Sequence, residues 1–128
     1  MKRKIISLIT IAIMLLGMIP ANLSFAATTT TNEEKAAEIV SQMTLEEKIG
    51  QMLMLDVRNW NGSAQTVLHP DCAKMIKDFH IGGICLFAPN LVDPEQIVTL
   101  TDALQQAAIE GSRFNIPLFL TIDQEGGY

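Results

Sequence analysis

Three short apolar runs alternate with helix-like segments along this chain. The runs comprise residues 52–57, 84–87 and 118–122, and nearly all of their side chains are apolar. Apolar runs of this length are typical of strands that are buried on both faces of a parallel sheet. Because helical segments separate the runs and no hairpin turn is expected between them, the order predicts right-handed crossovers and an α/β fold.

Four helices are predicted from their capping residues and apolar stripes. They are residues 33–42 after Asn32, a short helix from the capping box of Thr44 and Glu47 to Gly50, residues 70–79 with Pro70 first, and a helix from Asp93-Pro94-Glu95 to Gly111. Met75, Ile76 and Phe79 are expected to face the core from the third helix. Residues 61–66 are expected to form a loop.

The N-terminal segment has the pattern of a secretory signal peptide. Residues 2–4 are basic, residues 5–19 are largely apolar, and Ser24-Phe25-Ala26 places small residues where a signal peptidase reads them. An uncleaved membrane anchor is the alternative, but the apolar stretch is nearer 15 than the roughly 20 residues of a spanning helix. We therefore predict cleavage after Ala26, a secreted or cell-envelope location, no stable membrane insertion afterwards, and a disordered tether over residues 27–32.

Charge and composition narrow the classes of partner. Removing residues 1–26 takes three of the nine Lys and Arg residues and none of the fourteen Asp and Glu residues, so the formal net charge changes from −5 to −8. An acidic protein of this kind is not expected to bind nucleic acid or an anionic membrane.

His69 and His80 lack metal-ligand spacing, so we expect satisfied or solvated histidines and neither metal nor cofactor. Cys72 and Cys85 lie in apolar segments and are expected to be buried free thiols, although export would permit a disulfide.

Polar residues follow the third apolar run directly. Asp123 comes at the end of the run, and Glu125 precedes Gly126 and Gly127. In α/β folds ligands bind beyond the carboxyl ends of the strands, so Asp123 is a candidate for holding sugar hydroxyls with its acceptor oxygens. The alternative is that Asp123 caps a following helix or turn. Glu125 is a weaker candidate, and because the glycines begin a turn, we do not expect the two carboxylates to form a catalytic pair.

The first apolar run also ends in polar groups. Asp56, Arg58, Asn59 and Trp60 cluster at its carboxyl end. An aromatic ring beside polar groups suits a sugar, because C–H surfaces stack on the ring while hydroxyls need hydrogen bonds. The alternative is an Asp–Arg surface pair beside a half-buried tryptophan. Arg58 and Trp60 are therefore weaker candidates for a substrate site.

Three segments taken together resemble a known family. Residues 43–52 (MTLEEKIGQM), 82–87 (GGICLF) and 122–127 (IDQEGG), in this order, resemble the N-terminal barrel of glycoside hydrolase family 3, most closely its β-N-acetylhexosaminidase branch. Residues 56–60 are similar to secreted Gram-positive members of that branch. The resemblance covers nearly all of residues 33–128 and implies the first three or so β/α units of a (β/α)8 TIM-type barrel, incomplete in this chain.

The resemblance also implies an activity. The aspartate that matches Asp123 binds hydroxyls of the non-reducing sugar, and the aspartate nucleophile and histidine acid/base of a retaining mechanism lie beyond Tyr128. Family members usually carry arginine where this chain has Tyr128, so a cationic contact is not expected there. The expected protein is an exported enzyme that removes terminal β-N-acetylglucosamine from cell-wall-derived glycans, and these 128 residues alone are expected to be inactive. A β-glucosidase or β-xylosidase of the same family and a non-catalytic carbohydrate-binding remnant are the alternatives.

Overall fold

The computed structural model describes residues 30–123 and Gly126. The chain divides into two units, Met1–Thr31 and Asn32–Tyr128. Of the first unit, Thr30 and Thr31 are described, and both lie outside helices and strands. The predicted signal peptide, the first half of the predicted tether (residues 27–29) and Glu125 fall outside the described residues.

The second unit contains four α-helices, one 3₁₀ turn and five short strands within the described residues. The helices are α1 (Asn32–Gln42), α2 (Leu45–Gln51), α3 (Pro70–Asp78) and α4 (Pro94–Gly111), and the 3₁₀ turn is Ala88–Asn90. The strands are β1 (Met54–Asp56), β2 (Asn59–Trp60), β3 (Ser63–Ala64), β4 (Gly83–Leu86) and β5 (Phe119–Ile122). Asn32, predicted to end the tether, is already the first residue of α1. Within the described part of the chain, no helix has the length and apolar character needed to cross a membrane.

Side-chain caps fix the starts of three of these helices, and two of them are the caps that the sequence predicts. The Glu47 amide donates a hydrogen bond to the Thr44 hydroxyl at 3.2 Å, and the Thr44 amide donates to the Glu47 carboxylate at 2.8 Å, which confirms the predicted capping box. At α4 the Gln96 amide donates to the Asp93 carboxylate at 2.9 Å, directly before Pro94. Such caps satisfy amide groups that have no partner inside the helix, and they depend on neighbours in sequence.

Strands β1, β4 and β5 form a parallel sheet with β4 in the centre. The register pairs Asp56 of β1 with Cys85 of β4, and Cys85 with Thr121 of β5. The predicted α/β fold with a parallel sheet is therefore confirmed. Because all three strands run in the same direction, their carboxyl ends lie at one edge of the sheet, which we call the carboxyl edge.

A short antiparallel hairpin of β2 and β3 follows β1. The sequence pattern predicts a loop there and no hairpin turn, and this prediction is wrong. Asn61 and Gly62 join the two strands with φ angles of 51° and 82°. A type I′ turn needs positive φ at both central residues, and Asn-Gly is a preferred pair for it. The turn thus carries the chain back toward the carboxyl edge.

One face of the parallel sheet packs against α3 and α4. The buried apolar residues of this core are Val57, Cys72, Ile76, Ile81, Ile84, Leu86, Leu100, Leu104, Ala107, Ala108 and Leu118. They alternate along the strands, as the period of two requires, and recur every three or four residues along the helices. Burial on this face supplies the apolar contacts that hold the helices on the sheet.

The other face of the sheet, which we call the open face, has no covering layer within the described residues. Met54 of β1 is 51% exposed and Phe119 of β5 is 76% exposed. Three of the four residues of β4 are buried and Cys85 is half-buried, so the prediction that all three strands are buried on both faces holds in part for β4 and is wrong for β1 and β5. The reason is position, since β1 and β5 are the edge strands of this sheet and the helices cover one face.

Phe79 lies at the surface, with 63% of its area exposed, so the prediction that it faces the core is wrong. Helix α3 ends at Asp78, and Phe79 is its C-cap with φ −103° and ψ 4°. Its side chain therefore leaves the stripe that Ile76 continues inside the core. Ile76 is buried and Met75 is half-buried, in agreement with the prediction.

Both cysteines are free thiols, as predicted. Cys72 is fully buried in α3, and its burial raises the pKa of the thiol above the ordinary value of 9.0. Cys85 is half-buried, because it lies on the open face of β4 rather than on the face that the helices cover.

Candidate functional site

Asp123 lies at the carboxyl edge, one residue after β5. Its amide donates a hydrogen bond to the Leu86 carbonyl at 3.3 Å, which ties the position to the end of β4. The side chain is exposed, and no donor within the described residues is hydrogen-bonded to its carboxylate. Among residues 30–123 and Gly126, the acceptor capacity of the Asp123 carboxylate is therefore unused. The alternative role as a cap depends on residues 124 and 125, which lie outside the described residues, as does the weaker candidate Glu125.

Arg58 pairs with Asp56 at the end of β1. Its Nη2 is 3.3 Å from Asp56 Oδ2, and its amide donates to Asp56 Oδ1 at 2.6 Å. The guanidinium carbon lies 3.7 Å from the centroid of the Phe87 ring, in a cation–π contact. Nε is buried and has no hydrogen-bond partner among the described residues. The predicted Asp–Arg surface pair is therefore confirmed, and the guanidinium contacts Asp56 and Phe87 while its buried Nε donor has no partner among the described residues.

An open pocket of about 260 Å³ lies beside this ion pair. Asp56, Arg58 and Asn59 line it. Every lining side chain is polar or charged, so the pocket suits a ligand with several hydrogen-bonding groups rather than an apolar one. The pocket is wide enough for a group the size of a sugar substituent and lies at the carboxyl edge with Asp123.

Trp60 is half-buried, as the alternative interpretation of this segment predicted. Its ring stacks on the His69 ring with centroids 6.0 Å apart and planes 25° apart. One ring face is therefore occupied by protein. His69 in turn accepts the Asp71 amide at 3.2 Å as the N-cap of α3, which confirms a satisfied histidine. His80 is satisfied as well, through a 3.1 Å contact between Nδ1 and the Gly111 carbonyl.

The structure joins the predicted site residues through β4. Asp123 is bonded to Leu86, and the next residue, Phe87, packs under the Arg58 guanidinium. Neighbouring strands lie about 4.8 Å apart, so the ends of β1 and β5 are separated by about 10 Å. Trp60 stands on the hairpin beside Arg58, but its ring is directed to His69.

Asn90 is an organising residue that the sequence pattern did not single out. It is completely buried, and its Nδ2 donates to the carbonyls of Val57 at 3.3 Å, Arg58 at 3.3 Å and Gln65 at 2.9 Å. Its Oδ1 accepts the Phe87 amide at 3.0 Å. The one signal in the sequence is a polar residue directly after proline at the end of a buried strand.

A bidentate ion pair between Arg113 and Glu47 lies away from these residues. Arg113 donates to both Glu47 oxygens, from Nε at 2.8 Å and from Nη2 at 2.9 Å. The hydrogen bond from Arg113, followed by the one from the Thr44 amide, lowers the pKa of Glu47 to about 2 from an ordinary 4.5. This pair joins α2 to the segment between α4 and β5. Within the described residues, no group of three or more His, Cys, Asp or Glu side chains could hold a metal ion.

Residues 44–128 match the family model of the glycosyl hydrolase family 3 N terminal domain. The chain is similar to beta-hexosaminidase A of Pseudoalteromonas piscicida, with 42% identity over 95 residues that cover 66% of this chain and 16% of that protein. It is also similar to a beta-hexosaminidase of Bordetella pertussis, with 36% identity over 64 residues that cover 50% of this chain and 16% of that protein. The chain thus spans about a sixth of the length of these relatives.

A solved structure gives the corresponding three-dimensional match. A glycoside hydrolase family 3 beta-N-acetylglucosaminidase from Paenibacillus sp. superposes with a TM-score of 0.55 and 41% sequence identity. The match covers 66% of this chain and 15% of that chain. The α/β unit with its parallel sheet and helices is therefore similar to a part of that N-terminal barrel domain, which confirms the predicted fold class.

Proposed function

This chain belongs to glycosyl hydrolase family 3, and from that premise we propose that it supplies part of the sugar site of an exported enzyme that releases terminal β-N-acetylglucosamine. The hexosaminidase and N-acetylglucosaminidase names of its relatives support this sugar. Cell-wall-derived glycans are the proposed substrates. A retaining mechanism is part of the proposal, with the nucleophile and acid/base supplied from beyond Tyr128.

The observation that carries the proposal is the Asp123 carboxylate. It stands at the carboxyl edge without a donor among the described residues. An ionised carboxylate accepts hydrogen bonds through two oxygens, so it can hold two neighbouring hydroxyls of a sugar ring. Asp123 thus binds and orients the terminal sugar and does not itself react. Arg58 and the pocket beside it contact a more distant part of the glycan.

The proposal is tested with the gene product that carries this sequence. Its rates of hydrolysis are compared on the p-nitrophenyl β-glycosides of N-acetylglucosamine, glucose and xylose. We expect the N-acetylglucosaminide to be cleaved with a kcat/KM at least tenfold above the other two. Faster cleavage of the glucoside or xyloside, or no cleavage of any of them, contradicts the proposed sugar specificity. The 128-residue chain alone is expected to cleave none.

Asp123→Asn tests the role of the carboxylate. The amide keeps the size and removes the charge, and hydrogen bonds to charged groups contribute about 1.5–3 kcal/mol. We therefore expect kcat/KM to fall about tenfold to a hundredfold. Asp102→Asn is the matched control, because Asp102 is an exposed aspartate on α4. If the Asp123→Asn enzyme has the same kcat/KM as the Asp102→Asn control, the Asp123 carboxylate does not bind the substrate.

Export is part of the same proposal. The basic and apolar N-terminal segments and the small residues before position 27 support it. The mature N-terminus of the protein recovered from the culture medium or envelope is expected at Ala27. A mature protein that retains Met1 would contradict cleavage and leave the segment as an anchor.

A further inference from the structure

We infer that Asn90 is a positioning residue for the sugar site, which holds the hairpin that carries Arg58 and Trp60. The inference rests on the proposed function, because it concerns the same carboxyl edge. Asn90 touches no proposed substrate atom. It acts through the backbone of the segment between Val57 and Gln65.

The hydrogen bonds of Asn90 meet at the base of the hairpin. The Gln65 amide donates to the Arg58 carbonyl at 3.2 Å and closes the base. Asn90 Nδ2 donates to the carbonyls of both these residues and to that of Val57. Two N–H bonds serve three carbonyl oxygens, so at least one is shared. The side chain therefore grips both arms of the hairpin and the last core residue before it.

The fourth hydrogen bond of Asn90 ties the hairpin to β4. Asn90 Oδ1 accepts the amide of Phe87, whose ring lies under the Arg58 guanidinium. One side chain thus sets the distance between the backbone of Arg58 and the ring on which its guanidinium rests. An amide suits this place because it combines two donors with one acceptor. A carboxylate would still accept the Phe87 amide. Its second oxygen, however, would replace the Nδ2 donor and repel the three carbonyl oxygens.

The hairpin depends on such anchors, because its own ladder is short. β2 and β3 pair over two residues each, and an isolated two-stranded hairpin is marginal in water. Other contacts of this segment include the stack of Trp60 on His69 and the hydrogen bonds of Gln65 with Cys72 and His69, all on the side that faces α3. Gln96 Nε2 also donates to the Thr66 carbonyl at the end of the segment. On the side of β4, Asn90 holds the segment beside the contact between Arg58 and Phe87.

Gln105 offers a matched control for loss of a structural amide. Its Nε2 donates to the Leu118 carbonyl at 3.1 Å, and its Oε1 accepts the Leu118 amide at 2.8 Å. These bonds hold the chain before β5 and make no contact with the hairpin. Asn90→Asp and Gln105→Glu thus make the same chemical change. Each replaces a side-chain NH2 group that donates to a backbone carbonyl with a carboxylate oxygen that repels it.

The experiment uses the gene product that carries this chain, as wild type, Asn90→Asp and Gln105→Glu. Steady-state kinetics on a β-linked N-acetylglucosamine trisaccharide, whose sugars extend beyond the terminal one, are combined with hydrogen–deuterium exchange of the peptide over residues 57–66. For Asn90→Asp we expect faster exchange in that peptide and a KM raised on the order of tenfold, with kcat changed less, because misplacement of positioning groups weakens binding of the distant part of the substrate. Gln105→Glu is expected to lower the thermal unfolding midpoint but to leave KM and that peptide unchanged.

The two proposals fail in different ways. A wild type that cleaves no β-glycoside refutes the proposed function and the role of Asn90 in it. An active wild type together with an Asn90→Asp enzyme of unchanged KM and unchanged exchange over residues 57–66 refutes the positioning role alone. If Asn90→Asp does not accumulate as folded protein, Asn90→Ser is measured instead, since its hydroxyl donates to one carbonyl, and the same two readouts decide.

Discussion

Replacement of Gly82 tests the close packing of two backbone segments before β4. A Cβ atom on Gly82 would lie 2.1 Å from the Gln51 carbonyl oxygen, 2.6 Å from its carbon and 2.8 Å from its Cα. All three are backbone atoms at the end of α2, so no side-chain rotation can relieve the overlap. Gly82→Ala must therefore move one backbone segment away from the other.

The size of the effect follows from these distances. Restoring a separation of 3.0 Å from the Gln51 oxygen requires a shift of about 0.9 Å. The hydrogen bond from the Gly82 amide to the Gly50 carbonyl, now 2.9 Å, would be stretched beyond bonding range. The adjacent hydrogen bond, from the Gly83 amide to the Leu53 carbonyl at 3.0 Å, would be stretched by the same shift. Two lost hydrogen bonds at about 1 kcal/mol each and overpacking at about 1–3 kcal/mol predict a loss of about 3–5 kcal/mol.

The assay is urea unfolding of the 128-residue chain, followed by fluorescence of Trp60, the one tryptophan in the sequence. Gly62→Ala is the control, because Gly62 has φ 82° and no atom within 4 Å of an added Cβ. Its expected cost is the backbone strain alone, about 1–2 kcal/mol. If Gly82→Ala lowers the free energy of unfolding no more than Gly62→Ala does, the argument from close backbone approach is refuted.

Two further predictions concern titratable groups. The pKa of Glu47 is lowered to about 2 in the folded chain, mainly by Arg113, so its contribution to stability is complete above about pH 4.5 and is lost as the pH falls from 4.5 through 2. Glu47→Gln should therefore reduce the difference in urea midpoint between pH 6 and pH 3, and an unchanged difference would contradict the prediction. Cys85 should react with iodoacetamide before Cys72, which is fully buried with a raised thiol pKa; mass spectrometry after short exposure measures the order, and equal rates would contradict it.

Local chemistry made the helices and the sheet predictable from the sequence. The capping box of Thr44 and Glu47 and the cap of Asp93 involve residues three positions apart, so the sequence itself contains both partners. The apolar runs identified all three strands of the parallel sheet, and the order of elements identified its direction. The β2–β3 hairpin was not predicted, because strands of two residues are too short to show the alternation of apolar and polar side chains. The turn pair Asn61-Gly62 was the available signal.

Burial of a strand was predictable from the sequence only for the central strand, which has a neighbouring strand on each side. Three of the four residues of the central strand β4 are buried, as expected, but Phe119 and Met54 lie exposed on the open face. An apolar side chain predicts burial, but it does not predict which layer covers it. The covering layer depends on how the helices and strands assemble around the sheet. Phe79 fails for a more local reason, because the helix ends one residue before it.

The candidate site divides in the same way. Asp123 could be placed at the carboxyl edge because the end of an apolar strand marks that edge in any parallel sheet. The setting of Arg58 could not be predicted, because it depends on Phe87 and Asn90, about thirty residues later in the chain. Contacts across such separations are fixed by the fold, and the pattern around Arg58 contains no trace of them.

The open face shows why ligand chemistry belongs at the carboxyl edge. At the amino end of the strands its paired residues include Met54 and Phe119, both apolar. Two residues further along, the paired positions hold Asp56 and Thr121, which are polar and exposed. The same face thus changes from apolar to polar over one pleat repeat, about 7 Å. The proposed sugar ligand needs hydrogen-bonding groups at its rim, and the polar end of this face, which continues into Asp123, supplies them.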